Sequence, residues 1–145
     1  SSEMEIFFKK CSTVGAYMIF PSKQVDRKMT INAARGVNSN IQDRFDLTLE
    51  CIRRLYAKQD SPLTVTLERY ISFFNLFQDF KGYVDFFLLQ DLVDKDYKSI
   101  DFWFPNDNFL SSPLPKNISE YEYYKKKIMD FISKRNQRIE KYENI

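Results

Sequence analysis

Apolar residues recur at helical spacing through most of this sequence, and that periodicity constrains the fold more than any other feature. On a helix drawn at about 100° per residue, two long segments each place their apolar side chains on one stripe. The first stripe consists of Ile41, Phe45, Thr48, Leu49, Ile52, Leu55 and Tyr56. The second consists of Tyr121, Tyr124, Ile128, Phe131, Ile132, Ile139 and Tyr142. Both patterns predict amphipathic helices, and so a mainly α domain.

Three further helices bring the predicted total to about five. Residues 2–11 form a short one, and Ser61-Pro62 has the residue types of a helix start, as Ser119 with Glu122 does for the last helix. The segment Gly82–Val93 is apolar nearly all round. A helix without a polar face belongs in the interior, so we expect Gly82–Val93 to be the central, least exposed helix.

A minor two-stranded β element is also compatible with the sequence. Val14–Phe20 and Ile100–Phe104 are rich in β-branched and aromatic residues, and each is followed by a proline. Pairing of these two segments would add a small sheet edge to the helical domain.

Composition indicates a single folded domain. The chain has 145 residues, 17% of them aromatic, and three glycines, which suits a packed core better than disorder or a turn-rich sandwich. Its longest apolar runs, such as Phe86–Leu89, are too short to span a membrane. We therefore expect residues 1–145 to form one helical, cytoplasmic domain. The chain starts at Ser1 without an initiator methionine, so we expect it to be the C-terminal part of a longer protein.

The absence of histidine narrows the possible chemistry. It excludes serine–histidine and cysteine–histidine nucleophile pairs and histidine-ligated metals. The two cysteines, Cys11 and Cys51, are too few for a zinc site, and we expect free thiols, with Cys51 a small core residue. No cofactor, metal site or catalytic residue is predicted. A net charge of +2 does not favour nucleic acid or an anionic membrane as a partner.

Arg135 is the first candidate site residue, because it falls in the middle of the apolar stripe of the last helix. A charge that faces a core needs a partner. Asp85 and Asp91 are the expected partners, since they lie on the segment with almost no polar face. The structural interpretation is an ion pair that fixes helix register. The functional interpretation is an arginine in a pocket for an anionic ligand.

Arg35 and Arg44 are the next candidates. Thr30–Gly36 and Asp43-Arg44 place two arginines and a glycine before a helix start, where phosphate or carboxylate groups can bind. The spacing matches no known phosphate loop. The alternative is a capped, ion-paired connection.

Two weaker patterns involve charge alone. A group of carboxylates could hold Mg²⁺, although their spacing is not specific: Asp85, Asp91, Asp94, Asp96 and Asp101. A basic line on the last helix could follow a phosphate backbone, or be an ordinary solvated flank: Lys127, Lys134, Arg138 and Lys141.

Several long stretches resemble an uncharacterised bacterial family that is known only as a domain of unknown function. The long stretches are Thr30–Gly36 (TINAARG), Asp43–Arg54 (DRFDLTLECIRR) and Gly82–Asp91 (GYVDFFLLQD). Shorter matches are Ser61–Leu63, Arg135-Asn136 and Arg138-Ile139. The resemblance covers the chain from about residue 6, and members of the family look longer at the N-terminus. It implies a shared fold and supplies no activity.

The leading functional hypothesis is a non-catalytic binding or protein-interaction domain. Val65, Ile71 and Leu76 motivate it, since these apolar residues lie outside the stripe of their helix. A protein partner or a homo-oligomer would fit. One alternative is an anion- or phosphate-binding protein, or a histidine-independent enzyme, that uses Arg35, Arg44, Asp85, Asp91 and Arg135. A further alternative is nucleic-acid binding through the last helix. A concave pocket lined by those five charged residues would favour the anion site, whereas side chains satisfied inside the chain would favour the first hypothesis.

Overall fold

The structure is a computed structural model that describes residues 2–11, 13–104 and 107–143. Two predictions fall outside the described part of the chain. They concern the side chain of Cys11, predicted to be a free thiol, and Pro105, predicted to end a strand. Seven α-helices lie in these ranges: α1 (Ser2–Cys11), α2 (Ile31–Val37), α3 (Phe45–Tyr56), α4 (Thr64–Glu68), α5 (Ile71–Asn75), α6 (Phe80–Phe86) and α7 (Ile118–Glu143). Two short 3-10 helices span Val14–Ala16 and Gln90–Leu92.

The predicted mainly helical fold is confirmed, but the predicted β element is wrong, because no strand forms in the described ranges. Val14–Ala16 is helical, and the extended residue that follows, Tyr17, gives its carbonyl to the side chain of Arg135 instead of to a neighbouring strand. Ile100 makes one isolated antiparallel bridge with Val93. A strand needs a ladder of such pairs, so β propensity alone does not produce one here.

Helix α3 forms the centre of the fold. Every residue from Phe45 to Ile52 is buried, including three polar ones. The helix contacts α4 and α6, and the Phe45 ring packs against Trp103 and against Phe131 of α7. Asp46 and Glu50 lie outside the predicted apolar stripe but are buried, and Asp46 accepts from the N–H of Trp103 in the loop before α7.

The prediction that Gly82–Val93 is one central helix is wrong. Helix α6 ends at Phe86, whose residue surface is 69% exposed. Leu88 then adopts a left-handed φ of 58°, which a continuing helix does not allow. The turn divides the apolar residues of this segment between the core and the surface. Periodicity could not reveal it, because a segment that is apolar all round marks no inward side.

A close approach of the backbone explains the glycine in α6. The Asp79 carboxylate caps the helix by accepting from the N–H of Gly82 at 2.7 Å. A Cβ on Gly82 would lie 2.0 Å from the carbonyl oxygen of Phe77. Any other residue here would push apart the turn between α5 and α6.

The helix predicted to start at Ser61 is two short helices, α4 and α5. Four residues at helical spacing across both helices are nevertheless buried: Leu63, Leu67, Tyr70 and Phe74. Tyr70 lies between the two helices, and its hydroxyl donates to the carbonyl of Lys23 at 2.9 Å. Val65, Ile71 and Leu76 are exposed, as expected for residues outside the stripe.

Helix α7 agrees closely with the prediction, although Ser119 is not its cap. Asn117 accepts from the N–H of Glu120 at 2.9 Å, and the Glu120 carboxylate accepts from the N–H of Lys116 at 2.9 Å. The first bond satisfies one free N–H group at the start of the helix, and the second joins its first turn to the residue before Asn117. No helix of the described residues is both long enough and apolar enough to cross a membrane.

Candidate functional site

Arg135 points inward from α7, as predicted, and its residue surface is 4% exposed. Its Nε and Nη2 donate to the carbonyl of Phe87 at 3.1 and 3.0 Å. Its Nη1 donates to the carbonyls of Gly15 at 3.2 Å and Tyr17 at 2.6 Å. One guanidinium therefore joins three parts of the chain: α7, the segment after α1 and the turn after α6. Burial lowers the pKa of this guanidinium from its ordinary value.

The neighbouring Asn136 holds the same segment. Its Oδ1 accepts from the N–H of Gly15 at 2.8 Å, and its Nδ2 donates to the Thr13 hydroxyl at 2.8 Å. A Cβ on Gly15 would lie 2.4 Å from that Oδ1, so glycine is required for this contact. Two consecutive side chains of α7 thus attach residues 13–17 to the domain.

The predicted ion pair between Arg135 and Asp85 or Asp91 is wrong. Asp91 instead accepts from Nε of Arg138 at 2.5 Å. That bond raises the pKa of Arg138, against the effect of partial burial. The turn after α6 separates both aspartates from Arg135 and presents a backbone carbonyl in their place.

Asp85 belongs to a surface network. It accepts from Nζ of Lys81 and from the Tyr97 hydroxyl, both at 2.6 Å, and from Gln90 at 3.2 Å. Burial by itself would raise the pKa of Asp85, but the bonds from Lys81 and Tyr97 outweigh it and lower the pKa. The network satisfies this carboxylate inside the chain.

Arg44 forms a buried ion pair with Asp46, a residue that the helical pattern placed on a polar face. Arg44 Nε donates to Oδ1 of Asp46 at 2.9 Å, and Nη2 donates to Oδ2. Oδ2 also accepts from the N–H of Trp103 at 2.8 Å, and Arg44 Nη1 reaches the Pro113 carbonyl at 3.1 Å. Arg44 is therefore ion-paired, as the structural alternative expected, although no side chain caps α3 at this position. The burial of Asp46 was missed because Trp103, whose N–H also bonds it, comes from the loop before α7, far along the sequence.

Arg35 is the charged candidate that lines an open cleft. Its Nε donates to the Thr48 hydroxyl at 2.9 Å, and its Nη2 donates to the Asp43 carbonyl at 2.9 Å. Nη1 has a long contact of 3.4 Å with Asn32 and lies 3.9 Å from the Asp43 carboxylate. Burial lowers the pKa of Arg35, while the charge of Asp43 opposes that change. One end of the guanidinium is thus fixed, and the other has weaker partners.

The cleft beside Arg35 has a volume of about 650 Å³. Polar groups line it from α2 and the turn after α2: Asn32, Arg35 and Asp43. Apolar and aromatic side chains line the rest: Ala16, Tyr17, Met18, Ala33, Phe45, Trp103, Tyr124, Ile128 and Ile132. We call this cavity the Arg35 cleft. The other four predicted site residues do not line it.

Local sequence explains how the polar edge of the cleft forms. The Thr30 hydroxyl caps α2 by accepting from the N–H of Ala33 at 3.2 Å, which starts the helix that carries Arg35. A Cβ on Gly36 would lie 3.2 Å from the Asp43 carboxylate, so glycine leaves room for that side chain. The N–H of Asp43 donates to the Arg35 carbonyl at 2.9 Å, which holds the two residues together.

A second open groove runs between α1 and α7. It has a volume of about 880 Å³ and mixes lysines with acidic residues: Glu3, Lys10, Glu122, Lys125, Lys126, Lys127 and Asp130. Three cations of the predicted basic line on α7 pair with carboxylates. Lys127 bonds Asp101 at 2.8 Å, Lys134 bonds Asp130 at 3.0 Å, and Arg138 bonds Asp91. These pairs neutralise most of the line and favour the solvated-flank interpretation.

Cys51 is fully buried, as predicted, and burial raises the pKa of its thiol to about 12. Such a thiol is protonated at neutral pH and is a poor nucleophile. Among the described residues, no three histidine, cysteine, aspartate or glutamate side chains come close enough to hold a metal ion. The carboxylates considered for Mg²⁺, from Asp85 to Asp101, therefore do not converge.

The described residues form an all-α fold that has an open cleft beside a buried arginine. The chain belongs to a family of unknown function, DUF6994, whose model matches residues 1–139. The predicted resemblance to a domain of unknown function is thereby confirmed. No curated protein and no solved structure matches the chain.

Proposed function

We propose that this protein is a non-catalytic binding domain and that the Arg35 cleft is its ligand site. One observation carries the proposal. Of the five charged residues predicted from sequence, Arg35 lines the cleft, whereas Arg44, Asp85, Asp91 and Arg135 do not line it.

The size and lining of the cleft support ligand binding. Small-molecule sites usually enclose about 300–1,000 Å³ and combine apolar walls with a few polar groups that orient the ligand. The Arg35 cleft falls in that range at about 650 Å³. Its polar groups lie on one edge and its aromatic residues on the others.

The same lining argues for binding over catalysis. General acid–base chemistry needs groups whose pKa values lie near the working pH. The described residues that line the cleft provide one carboxylate, Asp43, whose side chain is 68% exposed. Arg35 stays protonated at neutral pH despite burial, so it can bind an anion and does not exchange protons.

The single tryptophan provides a direct test. Trp103 lines the cleft, so occupancy should change its fluorescence. We would screen a panel of small metabolites by tryptophan fluorescence and examine the purified protein by native mass spectrometry. Ala33→Phe places a ring in the cleft and should abolish binding. Ala57→Phe is the matched control, since Ala57 is exposed and lies outside the cleft.

Two outcomes decide the matter. Binding that Ala33→Phe abolishes and Ala57→Phe leaves unchanged supports the proposal. Binding that is indifferent to Ala33→Phe, or a folded protein that binds no member of the panel, overturns it. Circular dichroism of both variants would establish that they fold.

A second candidate is self-association through exposed apolar side chains. Val65, Ile71 and Leu76 are all exposed, and two identical copies would bury such surfaces symmetrically. Sedimentation would test this candidate, with Leu76→Glu compared with Asn75→Glu. A protein that stays monomeric over a wide concentration range would dismiss it.

A further inference from the structure

We propose that the ligand of the Arg35 cleft is a free α-amino acid with an apolar side chain. This inference rests on the proposed function and deepens it. The cleft presents a cation and an anion side by side on one edge, with apolar walls beyond them. An α-amino acid carries the complementary carboxylate and ammonium on one carbon, with its side chain attached there.

Arg35 provides the carboxylate site. A guanidinium has five N–H donors. Nε and Nη2 hold Thr48 and the backbone of Asp43, while Nη1 makes one long contact with Asn32. Donors at the Nη1 end thus remain for a carboxylate, which forms stronger bonds with arginine than neutral oxygens do. The fixed end means that a ligand meets an arginine already held in place.

Asp43 provides the ammonium site. Its carboxylate lies 3.9 Å from Arg35 Nη1, beyond hydrogen-bond distance, and most of its side chain is exposed. An ammonium group could bind the exposed part of this carboxylate while the long ion pair with Arg35 persists. The N–H of Asp43 donates to the Arg35 carbonyl, and Arg35 Nη2 donates to the Asp43 carbonyl, so the two charged groups lie close together.

The walls favour an apolar side chain over a polar one. Met18, Ile128 and Ile132 line the cleft and are buried, and Trp103 and Tyr124, which also line it, pack edge to face with ring centroids 5.7 Å apart. An aliphatic or aromatic side chain placed against these walls would lose water contact on the sides that face them. The charges favour a zwitterion over a simple anion, because Asp43 would repel a second negative group.

Matched ligands can separate these contributions. We would titrate the full chain with L-phenylalanine, 3-phenylpropanoate and 2-phenylethylamine, and follow Trp103 fluorescence. The second compound lacks the ammonium and the third lacks the carboxylate. We expect L-phenylalanine to bind at least about tenfold more tightly than either, since each lacks one charge-assisted contact.

Asp43→Asn tests the ammonium site with little risk to the fold. Asp43 has a φ of 60°, and asparagine tolerates that left-handed conformation well. We expect the variant to lose about tenfold in affinity for L-phenylalanine and to bind 3-phenylpropanoate at least as well as the native protein. Asp96→Asn is the matched control, because Asp96 is exposed and outside the cleft.

The outcomes distinguish this inference from the proposed function. If L-phenylalanine, L-leucine and L-tryptophan fail to bind, or bind equally well to Asp43→Asn, the ligand class is wrong. The proposed function still stands in that case if another metabolite binds and Ala33→Phe abolishes its binding. If Ala33→Phe alters no binding at all, both fail.

Discussion

Arg44 and Arg135 are two arginines with nearly equal burial, at 3% and 4% exposure, and opposite solutions to it. Arg44 has a buried carboxylate, Asp46, which also bonds the backbone of Trp103. Arg135 has no carboxylate within 4.0 Å among the described residues and bonds backbone carbonyls. Both also face aromatic rings, Arg135 with its guanidinium carbon 5.4 Å from the Phe45 ring centroid.

The difference shows two ways in which burial of a charge is made tolerable. An ion pair cancels the charge, so removal of one partner leaves the other uncompensated in the interior. Backbone carbonyls do not cancel the charge of Arg135. Their partial negative charges stabilise it, and the hydrogen bonds join segments that are distant in the sequence. The pair concentrates its stabilisation in one contact, whereas the carbonyl arrangement distributes it over three segments.

The largest effect should follow from Asp46→Asn. The substitution leaves Arg44 buried without its counter-charge, which should lower the free energy of unfolding by about 3–5 kcal/mol. Urea unfolding followed by circular dichroism would measure it. Asp101→Asn, which removes the exposed partner of Lys127, is the control. A loss for Asp46→Asn no larger than that of the control would show that the pair is not a concentrated contact.

Arg135→Leu should cost less, about 1–3 kcal/mol, because the charge leaves together with its bonds and only carbonyls lose partners. Hydrogen exchange should rise specifically in residues 13–17 and around Phe87, which the guanidinium joins. Lys134→Leu, on an exposed part of the same helix, should leave both measurements unchanged. If Arg135→Leu proved as costly as Asp46→Asn, the contrast between the two arginines would disappear.

Asp91→Asn sharpens the comparison, because the Arg138–Asp91 pair has the same residue types as Arg44–Asp46 but is more exposed. Its partner Arg138 has a side chain that is 40% exposed. Water screens such a pair, so we expect a loss of less than about 1 kcal/mol. Thermal unfolding alongside Asp46→Asn would give the ratio directly. Equal losses would mean that burial does not set the value of these pairs.

The smallest effect concerns pH. The pKa of folded Asp85 lies below its ordinary value of 3.8, so its bonds stabilise the fold above that value. The stabilisation is lost as pH falls through the folded pKa, when the carboxylate becomes protonated in both states. In Asp85→Asn, the melting temperature should fall less steeply on acidification below about pH 4. Tyr97→Phe removes one of these bonds, so its melting temperature should depend on pH less than that of the native protein and more than that of Asp85→Asn. Identical acid profiles of the three proteins would show that these bonds do not lower the pKa of Asp85.

Residue spacing predicts which side of a helix is buried, but it does not predict which groups a buried side chain bonds. Arg135 was predicted to face inward because its neighbours on α7, Phe131 and Ile132, define the buried side. Its partners were not predicted, because backbone carbonyls leave no mark on residue type. Asp46 was missed for a related reason: its position on α3 looks polar until the loop carrying Trp103 covers it. The apolar segment from Gly82 was misread because a turn at Leu88 interrupts it.

The candidate site shows the same division. Arg35 was singled out by its place near a predicted helix start, and Asp43 stood in the same motif. The aromatic walls were not predictable as walls, since Tyr17, Trp103 and Tyr124 come from three distant segments. Only their assembly around α2 and α7 creates a cavity.

The order of residues alone determined that the chain is helical, that α7 is long, and that Arg135 and Cys51 point into the core. These properties depend on contacts a few residues apart, which spacing records. The tertiary structure alone decided which helix is central, which group neutralises each buried charge, and where an open cleft remains. Those properties depend on which distant segments meet. The sequence pattern of a helix shows which of its sides is buried, but it does not show which segment packs against that side.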